Sequence, residues 1–216
     1  MNTQDIDRIR TMALAGQNGA GKTSLIEALL HRTGMINVAG SIEKGTTVCD
    51  YDPLEKNHQH SVKLAVAHLD HLDTRVHVLD TPGSPDFMGQ ALCALDAVET
   101  VAVVINAQNG VEITAQRMMQ WARARKLCRM IVINKIDGEN LDLPGLLQSI
   151  RDSFGSECLP INLPAGNGSH VVDCFFNPAG ESDFSSVAAS HRALIDQVVE
   201  VDEALMTRYL EQGDIA

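Results

Sequence analysis

The feature that most constrains this chain is a glycine-rich stretch, GQNGAGKT, at residues 16–23. An apolar segment over 9–16 precedes it, and a run with helical spacing over 22–34 follows it. The stretch fits the pattern GxxxxGK followed by Ser or Thr, and it has the setting that this pattern requires, a strand before it and a helix after it. Such a loop turns backbone N–H groups inward, and the helix N-terminus adds the positive end of its dipole. We therefore predict a cradle for phosphate groups.

Two side chains of this cradle have distinct roles in the prediction. Lys22 supplies a positive charge between the β- and γ-phosphates, and the Thr23 hydroxyl is placed to bind Mg²⁺. The plain alternative is a glycine turn that only caps a helix, and the complete motif in its expected setting disfavours it. The residues predicted to contact the nucleotide here are Gly16, Asn18, Gly19, Ala20, Gly21, Lys22, Thr23 and Ser24.

A second motif, Asp80-Thr-Pro-Gly83, follows the apolar segment VHVL. Asp80 is placed to hold Mg²⁺ through a water molecule, and the Gly83 N–H could meet the γ-phosphate. The plain alternative is an acidic turn at the end of a strand. Because the motif follows the cradle in the expected order, we predict that it belongs to the same site.

A third motif, Asn134-Lys135-Ile136-Asp137, follows the apolar run MIVI, at the end of a strand where open α/β sheets bind ligands. Asp137 can accept two hydrogen bonds from the guanine N1–H and 2-amino groups, a donor pair that adenine lacks. Asn134 can bond the base edge and the loop backbone, while the Lys135 stem covers the base face. A capped strand-to-helix loop is the alternative for so short a motif. Its position downstream of the cradle favours guanine selection.

Strands and helices alternate in the first part of the chain, which predicts an α/β fold: a mostly parallel sheet with helices on both faces. After Gly155 the regular alternation of strands and helices stops. We therefore predict a nucleotide-binding domain over 1–156 and a small α+β subdomain over 157–216. The predicted strands are 9–16, the hairpin pair 61–69 and 74–80, 98–107 and 129–137, and the predicted helices are 22–34, 113–126 and 144–154.

Two other regions are less regular. Residues 35–60 show no sustained period, and a stretch that long without structure is typical of a functional or mobile loop. Residues 158–186 hold two short strand candidates separated by Gly, Pro and Asn. A final helix over 194–210 is predicted from an apolar stripe. The stripe consists of Leu194, Val198, Val201, Leu205 and Tyr209.

Charge and composition exclude some classes of function. The formal net charge of −11 argues against a protein that grips nucleic acid by broad phosphate neutralisation, so no sequence-specific DNA partner is expected. Five cysteines without paired zinc-type spacing are typical of reduced thiols in a cytosolic protein. The polar N-terminus is no secretory signal, and no apolar run approaches the ~20 residues that span a membrane. We therefore expect a cytoplasmic protein without a membrane partner.

The stretches GAGKT, DTPGSPDF and NKID, with the spacings between them, resemble the G domain of translational GTPases, and elongation factor G most closely. The segment GTTVCDYDPLEKNHQHSV, residues 45–62, resembles the switch I region of the elongation factor G-like branch more than that of the principal factor. The segment LPINLPAGNGSHVVDCFF resembles the insert of that family, and LIDQVVEVDEALMTRYL is similar to the acidic helix of the insert. The resemblance implies a P-loop GTPase fold, GTP or GDP with Mg²⁺ as ligands, and the ribosome with its stalk proteins as partner. It also implies that the family continues beyond Ala216 into a loop that completes the guanine pocket and into further domains.

Three positions depart from the family pattern. Ser84 stands where the family usually has a histidine that orients the attacking water, and the serine hydroxyl is shorter and cannot take up a proton near neutral pH. Gly19 stands where the family usually has an aspartate implicated in holding a monovalent cation. Ser61 stands where the family offers a threonine hydroxyl to Mg²⁺, so the metal set implied is Thr23, Ser61 and, through water, Asp80. Water positioning accounts for orders of magnitude in rate, so the resemblance implies weakened hydrolysis.

Three functions remain open at this point. The first is a GTP-hydrolysing ribosomal factor in which a partner, or a histidine such as His58 or His60, replaces the missing group. The second is a guanine-nucleotide-binding module without turnover, in which the nucleotide orders residues 35–62. The third is an ATP-using enzyme, which Asp137 disfavours. The plain reading of the histidines is a polar hairpin face.

Overall fold

The computed structural model describes residues 6–200 and 203–212. Packing divides the chain into two compact units, residues 1–135 and 136–216. The predicted domain boundary between residues 156 and 157 stays a prediction.

The first unit is built on a five-stranded sheet with the strand order β2-β3-β1-β4-β5. Neighbouring strands are parallel except for β2, which runs antiparallel to β3 at one edge. The predicted α/β class with a mostly parallel sheet is therefore confirmed. The strands are β1 (Ile9–Ala15), β2 (Ala65–His71), β3 (Thr74–Asp80), β4 (Thr100–Asn106) and β5 (Cys128–Asn134).

Burial along the strands follows from their places in the sheet. The interior strand β4, which lies between β1 and β5, is buried from Val101 onward, which matches its unbroken apolar run from Val101 to Ile105. The edge strand β2 instead alternates between buried and exposed residues. Between β2 and β3, Leu72 and Asp73 adopt φ values of 46° and 59°, and positive φ at both central residues is typical of a type I′ hairpin turn.

Four helices accompany this sheet: α1 (Lys22–Arg32), α2 (Pro53–His58), α3 (Met88–Leu95) and α4 (Ile113–Ala124). The core between them includes Leu14, Ile26, Leu30, Val78 and Val104.

Helix α2 was not predicted, because its six residues are too few to show a period. It begins with local signals instead. Asp52 accepts a hydrogen bond from the Leu54 N–H, Glu55 completes a capping box, and Pro53 takes the first helical position. The stretch 35–60 is therefore more ordered than its composition indicated.

The second unit contains α5 (Leu143–Phe154), an antiparallel pair of strands, β6 (Asn162–Ala165) and β7 (His170–Asp173), and the helices α6 (Val187–Glu200) and α7 (Glu203–Gln212). The two short strands and the α+β character were predicted. A small core of its own contains Leu163, Cys174, Val187 and Leu194. Nowhere in residues 6–200 and 203–212 does a helix combine the length and apolarity needed to cross a membrane.

The prediction of one straight helix over 194–210 is wrong. The Tyr209 hydroxyl donates a hydrogen bond to the Asp196 carboxylate at 3.5 Å, thirteen residues away in the sequence. Thirteen residues span about 20 Å in a straight helix, which is too far for these side chains to meet. Helices α6 and α7 therefore do not lie in one line, and Val201 of the predicted stripe lies outside the described residues. The stripe could not indicate two separate helices, because the apolar residues on both of them fit one helical spacing.

Candidate functional site

The loop between β1 and α1 depends on its glycines. Gly16, Gly19 and Gly21 have φ values of 133°, 74° and 92°, which are strained for any other residue. A Cβ atom on Gly16 would lie 2.4 Å from the Val104 carbonyl oxygen, and one on Gly21 would lie 2.3 Å from Asn134 Nδ2. The loop therefore packs against Val104 of β4 and against Asn134, the last residue of β5.

Lys22 folds back over this loop and is only 6% exposed. Its Nζ donates hydrogen bonds to the carbonyl oxygens of Gly16 at 3.0 Å and Gln17 at 2.8 Å. Burial lowers the Lys22 pKa to about 8, against the attraction of Asp80 and, more weakly, of Asp50. A buried ammonium group that the protein only partly compensates is suited to bind an anion such as a phosphate.

Thr23 and Asp80 meet beside this ammonium group. Thr23 Oγ1 donates to Asp80 Oδ2 at 2.6 Å, while the other oxygen, Oδ1, is buried and has no hydrogen-bond partner in the described part of the chain. Burial raises the Asp80 pKa to about 6, although the Thr23 hydrogen bond and the charge of Lys22 oppose this rise. Next to Lys22 and Thr23 there is therefore a buried carboxylate oxygen without a hydrogen-bond partner among the described residues.

The hydroxyl of Ser61 completes a set of oxygens. Ser61 Oγ donates to Asp50 Oδ1 at 2.7 Å and lies 3.2 Å from Thr23 Oγ1. Since each hydroxyl has one hydrogen, and both are used toward the carboxylates, the two oxygens face each other with lone pairs. Neighbouring ligands of an octahedral Mg²⁺ lie about 2.9 Å apart, so the two hydroxyls fit such a cation. Among the described residues no group of three or more His, Cys, Asp or Glu side chains could hold a metal ion.

Asp50 is a site residue that the sequence analysis missed. It is buried, and its second oxygen accepts a hydrogen bond from Thr47 Oγ1 at 3.2 Å. It thereby holds Ser61 toward Thr23. No sequence signal marked it, because it lies in a stretch without periodicity.

Two further buried carboxylates hold the switch segment, which we define as residues 40–63. Glu27 of α1 accepts hydrogen bonds from the backbone N–H groups of Gly40 at 2.7 Å and Val48 at 2.5 Å. Glu55 accepts from the N–H groups of Val62 and Lys63, both at 2.9 Å. Side-chain anchors therefore order a segment that has little regular structure.

We expect the change Glu27→Gln to loosen the first half of the switch segment. Glutamine has one acceptor oxygen, so either Gly40 or Val48 would face an amide NH₂ group and lose its partner. The loss costs about 2 kcal/mol, which corresponds to roughly thirtyfold faster amide exchange over residues 40–48. Hydrogen exchange measures this, with the exposed Glu43→Gln as control. Unchanged protection at both amides would contradict the role given to Glu27.

The DTPG loop contacts the cradle through Gly83. A Cβ atom there would lie 2.5 Å from the Asn18 backbone nitrogen and 2.6 Å from Lys22 Nζ. Ser84 follows in extended conformation, before the short 3-10 helix Pro85–Phe87, and its hydroxyl does not cap that helix. Gly83 lines the cleft, whereas Ser84 is not among the lining residues.

The third motif is divided between the two units. Asn134 Nδ2 donates to the Ala20 carbonyl oxygen at 2.9 Å, so this side chain bonds the loop backbone. Lys135, at φ 61°, is exposed and lines the cleft. Asp137 is exposed and belongs to the second unit.

The cleft has a volume of about 150 Å³. A larger cavity of about 730 Å³ lies in the second unit, around residues 178–188, and carries none of the three motifs. Thirteen of the predicted residues lie at the cleft of the first unit, because they line it, form hydrogen bonds at it or pack closely against it. They are Gly16, Asn18, Gly19, Ala20, Gly21, Lys22, Thr23, Ser24, Ser61, Asp80, Gly83, Asn134 and Lys135.

Comparison with known proteins gives consistent matches. The family described as the elongation factor Tu GTP binding domain matches residues 7–213. An elongation factor G-like protein of Mycobacterium tuberculosis (strain ATCC 25618 / H37Rv) is 36% identical over 215 residues, covering 94% of this chain and 30% of the relative. Peptide chain release factor 3 of Bordetella petrii is 35% identical over 177 residues, covering 80% and 33%.

A crystal structure of a protein from Thermus thermophilus superimposes with a TM-score of 0.85 at 35% identity. The match covers 97% of this chain and 34% of that structure. The chain thus spans about a third of the length of the proteins that it matches.

Proposed function

This chain belongs to the elongation factor Tu GTP binding domain family, and we propose that it is the guanine-nucleotide-binding part of a ribosome-associated GTPase similar to elongation factor G. It binds GTP and GDP together with Mg²⁺ and changes conformation between the two states. The observation that supports the proposal best is that two buried charged groups, the Lys22 ammonium and the Asp80 carboxylate, lie next to each other and are only partly neutralised by the protein. The Lys22 ammonium donates hydrogen bonds to the carbonyl oxygens of Gly16 and Gln17, and the buried Asp80 Oδ1 has no hydrogen-bond partner in the described part of the chain.

The residues of the cleft divide the binding of phosphates and metal between them. Lys22 and the backbone N–H groups of the cradle bind the β- and γ-phosphates. The hydroxyls of Thr23 and Ser61 hold Mg²⁺ directly, and Asp80 holds it through water. When bound, the ion neutralises charge on the phosphates. Asp50 keeps Ser61 in place for this purpose.

Asp137 gives the site its preference for guanine in this proposal, and Asp137→Ala tests it. A carboxylate that accepts two hydrogen bonds contributes about 3 kcal/mol, so we expect about a hundredfold weaker binding of GDP and a collapse of the difference between GDP and ADP. Equilibrium titration with fluorescent GDP, a GTP analogue and ADP measures this in the presence of Mg²⁺.

The matched control is Glu139→Ala, which removes an equally exposed carboxylate two residues away and should leave both affinities unchanged. Equal binding of ADP and GDP by the wild-type chain would contradict the guanine preference. Failure to bind either nucleotide would overturn the proposed function.

Intrinsic hydrolysis is slow in this proposal, because Ser84 occupies the position of the water-orienting histidine and is not a lining residue of the cleft. The same observation favours a second candidate, a guanine-nucleotide-dependent binding module without turnover. In that case the nucleotide acts only through the switch segment. A measurable single-turnover rate for the wild-type chain would exclude this candidate.

The partner follows from the proposed family role. We propose that the protein acts on the ribosome in the cytoplasm and that residues 157–216 form the insert that faces stalk proteins. The acidic balance of the chain, with a net charge of −11, suits contact with proteins better than broad contact with RNA.

A further inference from the structure

A histidine of the switch segment lies in the phosphate cleft. His60 lines this cleft together with Lys22, Thr23 and Gly83. The residue is half-buried, and its Nδ1 atom is fully buried without a hydrogen-bond partner in the described part of the chain. A buried polar atom without a partner costs about 1–3 kcal/mol and in native proteins usually marks a place for water or a ligand.

The backbone around His60 is fixed on both sides. Gln59 ends α2 in the left-handed conformation, at φ 56°, and turns the chain. Ser61 is held by Asp50 and Thr23, and the Leu64 N–H donates to Gln90 Oε1 at 2.6 Å. The imidazole therefore occupies a defined place in the cleft, beside the groups that would bind the γ-phosphate.

Two nearby alternatives lack these features. His58 is exposed in the last turn of α2, and its ring centroid lies 5.7 Å from that of His60, but it does not line the cleft. Ser84 does not line it either, and its side chain is shorter than an imidazole. An unprotonated imidazole nitrogen accepts a hydrogen bond, so it can direct the lone pair of a water molecule.

We propose that His60 orients the water that attacks the γ-phosphate, which is the task that the family assigns to the position of Ser84. This inference rests on the proposed binding of GTP. The water oxygen forms a bond to the γ-phosphorus, and the bond from that phosphorus to the oxygen bridging to the β-phosphate breaks. The two water protons pass to the released phosphate and to solvent, while GDP leaves with the bridging oxygen. His60 accepts a hydrogen bond from the water and is unchanged at the end.

The test compares single-turnover GTP hydrolysis with equilibrium binding of a non-hydrolysable GTP analogue, both on the full chain with Mg²⁺. We expect His60→Ala to hydrolyse GTP about a hundredfold more slowly and to bind the analogue within about twofold of the wild-type affinity. His60→Gln, which keeps an acceptor, should recover part of the rate. The control His58→Ala should change neither quantity. Adding Ser84→His to His60→Ala should restore hydrolysis.

Several results would overturn this assignment. One is that His60→Ala hydrolyses GTP as fast as the wild type. Another is that His60→Ala loses as much affinity for the GTP analogue as it loses hydrolysis rate, which would indicate a structural role for His60. Failure of Ser84→His to restore any hydrolysis would show that the two positions do not share one task. A wild-type chain that binds GTP without hydrolysing it would overturn the role of His60 alone, whereas failure to bind GTP would overturn the proposed function as well.

Discussion

The change Lys22→Met is expected to weaken guanine-nucleotide binding by about 10³-fold and to leave the chain folded. Methionine has nearly the same length and flexibility but no charge, so the phosphates would lose the ammonium group that the cleft places between them. Removing one member of a buried, hydrogen-bonded charge pair costs 2–5 kcal/mol, and about 4 kcal/mol corresponds to this factor.

Although Lys22→Met weakens binding, it should make the nucleotide-free chain slightly more stable. Burial lowers the Lys22 pKa from 10.5 to about 8 in the folded chain, so the charged form costs about 3 kcal/mol at neutral pH. Methionine removes this cost but leaves the carbonyl oxygens of Gly16 and Gln17 without the ammonium donor, at about 1 kcal/mol each. We therefore expect the nucleotide-free variant to be about 1 kcal/mol more stable than the wild type.

Measuring the free energy of unfolding at several pH values separates the cost of the buried Lys22 charge from the loss of its two hydrogen bonds. Between pH 8 and 10.5 the unfolded wild-type chain keeps the Lys22 proton while the folded chain releases it, so stability contributed by this group rises with pH. Lys22→Met lacks that rise, so its stability advantage over the wild type should shrink and then reverse across this window. The exposed Lys126→Met is the control and should match the wild type in binding and stability. Full binding by Lys22→Met, or a stability loss above about 2 kcal/mol, would contradict this account.

Local signals predicted most of the sheet and the cradle. The strand β1, the glycine loop and helix α1 are continuous in sequence, so spacing alone identified Gly16, Lys22 and Thr23. The interior strand β4 was recognisable because a strand buried on both faces has a nearly continuous apolar sequence. The motif around Asp80 was readable for a similar reason, since it follows β3 directly.

Contacts between distant segments could not be read from spacing. Asp50 and Glu27 act through hydrogen bonds to residues 3–21 positions away in a region without period, and nothing in their neighbours marks them as buried. His60 was singled out only as one of several histidines, because its proximity to Lys22 depends on how the switch segment folds. The division into α6 and α7 was missed because the apolar residues of both helices fit one helical spacing.

The change Asp80→Asn is expected to abolish most of the tightening of nucleotide binding by Mg²⁺, by about 10³-fold. A carboxylate near a divalent cation contributes several kcal/mol even when water lies between them, and an amide of the same shape does not. The asparagine side-chain oxygen can still accept the Thr23 hydroxyl hydrogen bond, so the loop should keep its conformation. Binding in EDTA should therefore change much less than binding with Mg²⁺, and comparing the two conditions isolates the metal.

Asp80→Asn should also make the metal-free chain more stable. The direction of this change follows from how the Asp80 carboxylate affects the free energy of unfolding at different pH values. Burial raises the Asp80 pKa from 3.8 to about 6, so the folded chain holds this proton more tightly than the unfolded chain. The group therefore lowers stability by up to about 3 kcal/mol as pH rises from 4 to 6, and the cost stays constant above that range. Lys22 loses an attractive partner in the variant, which offsets part of the gain, so we expect an increase of about 1–2 kcal/mol at pH 7.

Denaturant unfolding of both proteins in EDTA, at pH 4 and pH 7, measures this effect. The stability difference should be near zero at pH 4, where Asp80 is protonated, and should reach its full size at pH 7. The exposed Asp73→Asn serves as the control and should show no such growth. If Asp80→Asn were less stable than the wild type at pH 7, the charged carboxylate would stabilise the folded chain through Thr23 and Lys22. That result would contradict the view that the Asp80 charge costs stability in the metal-free chain and is there to bind a cation.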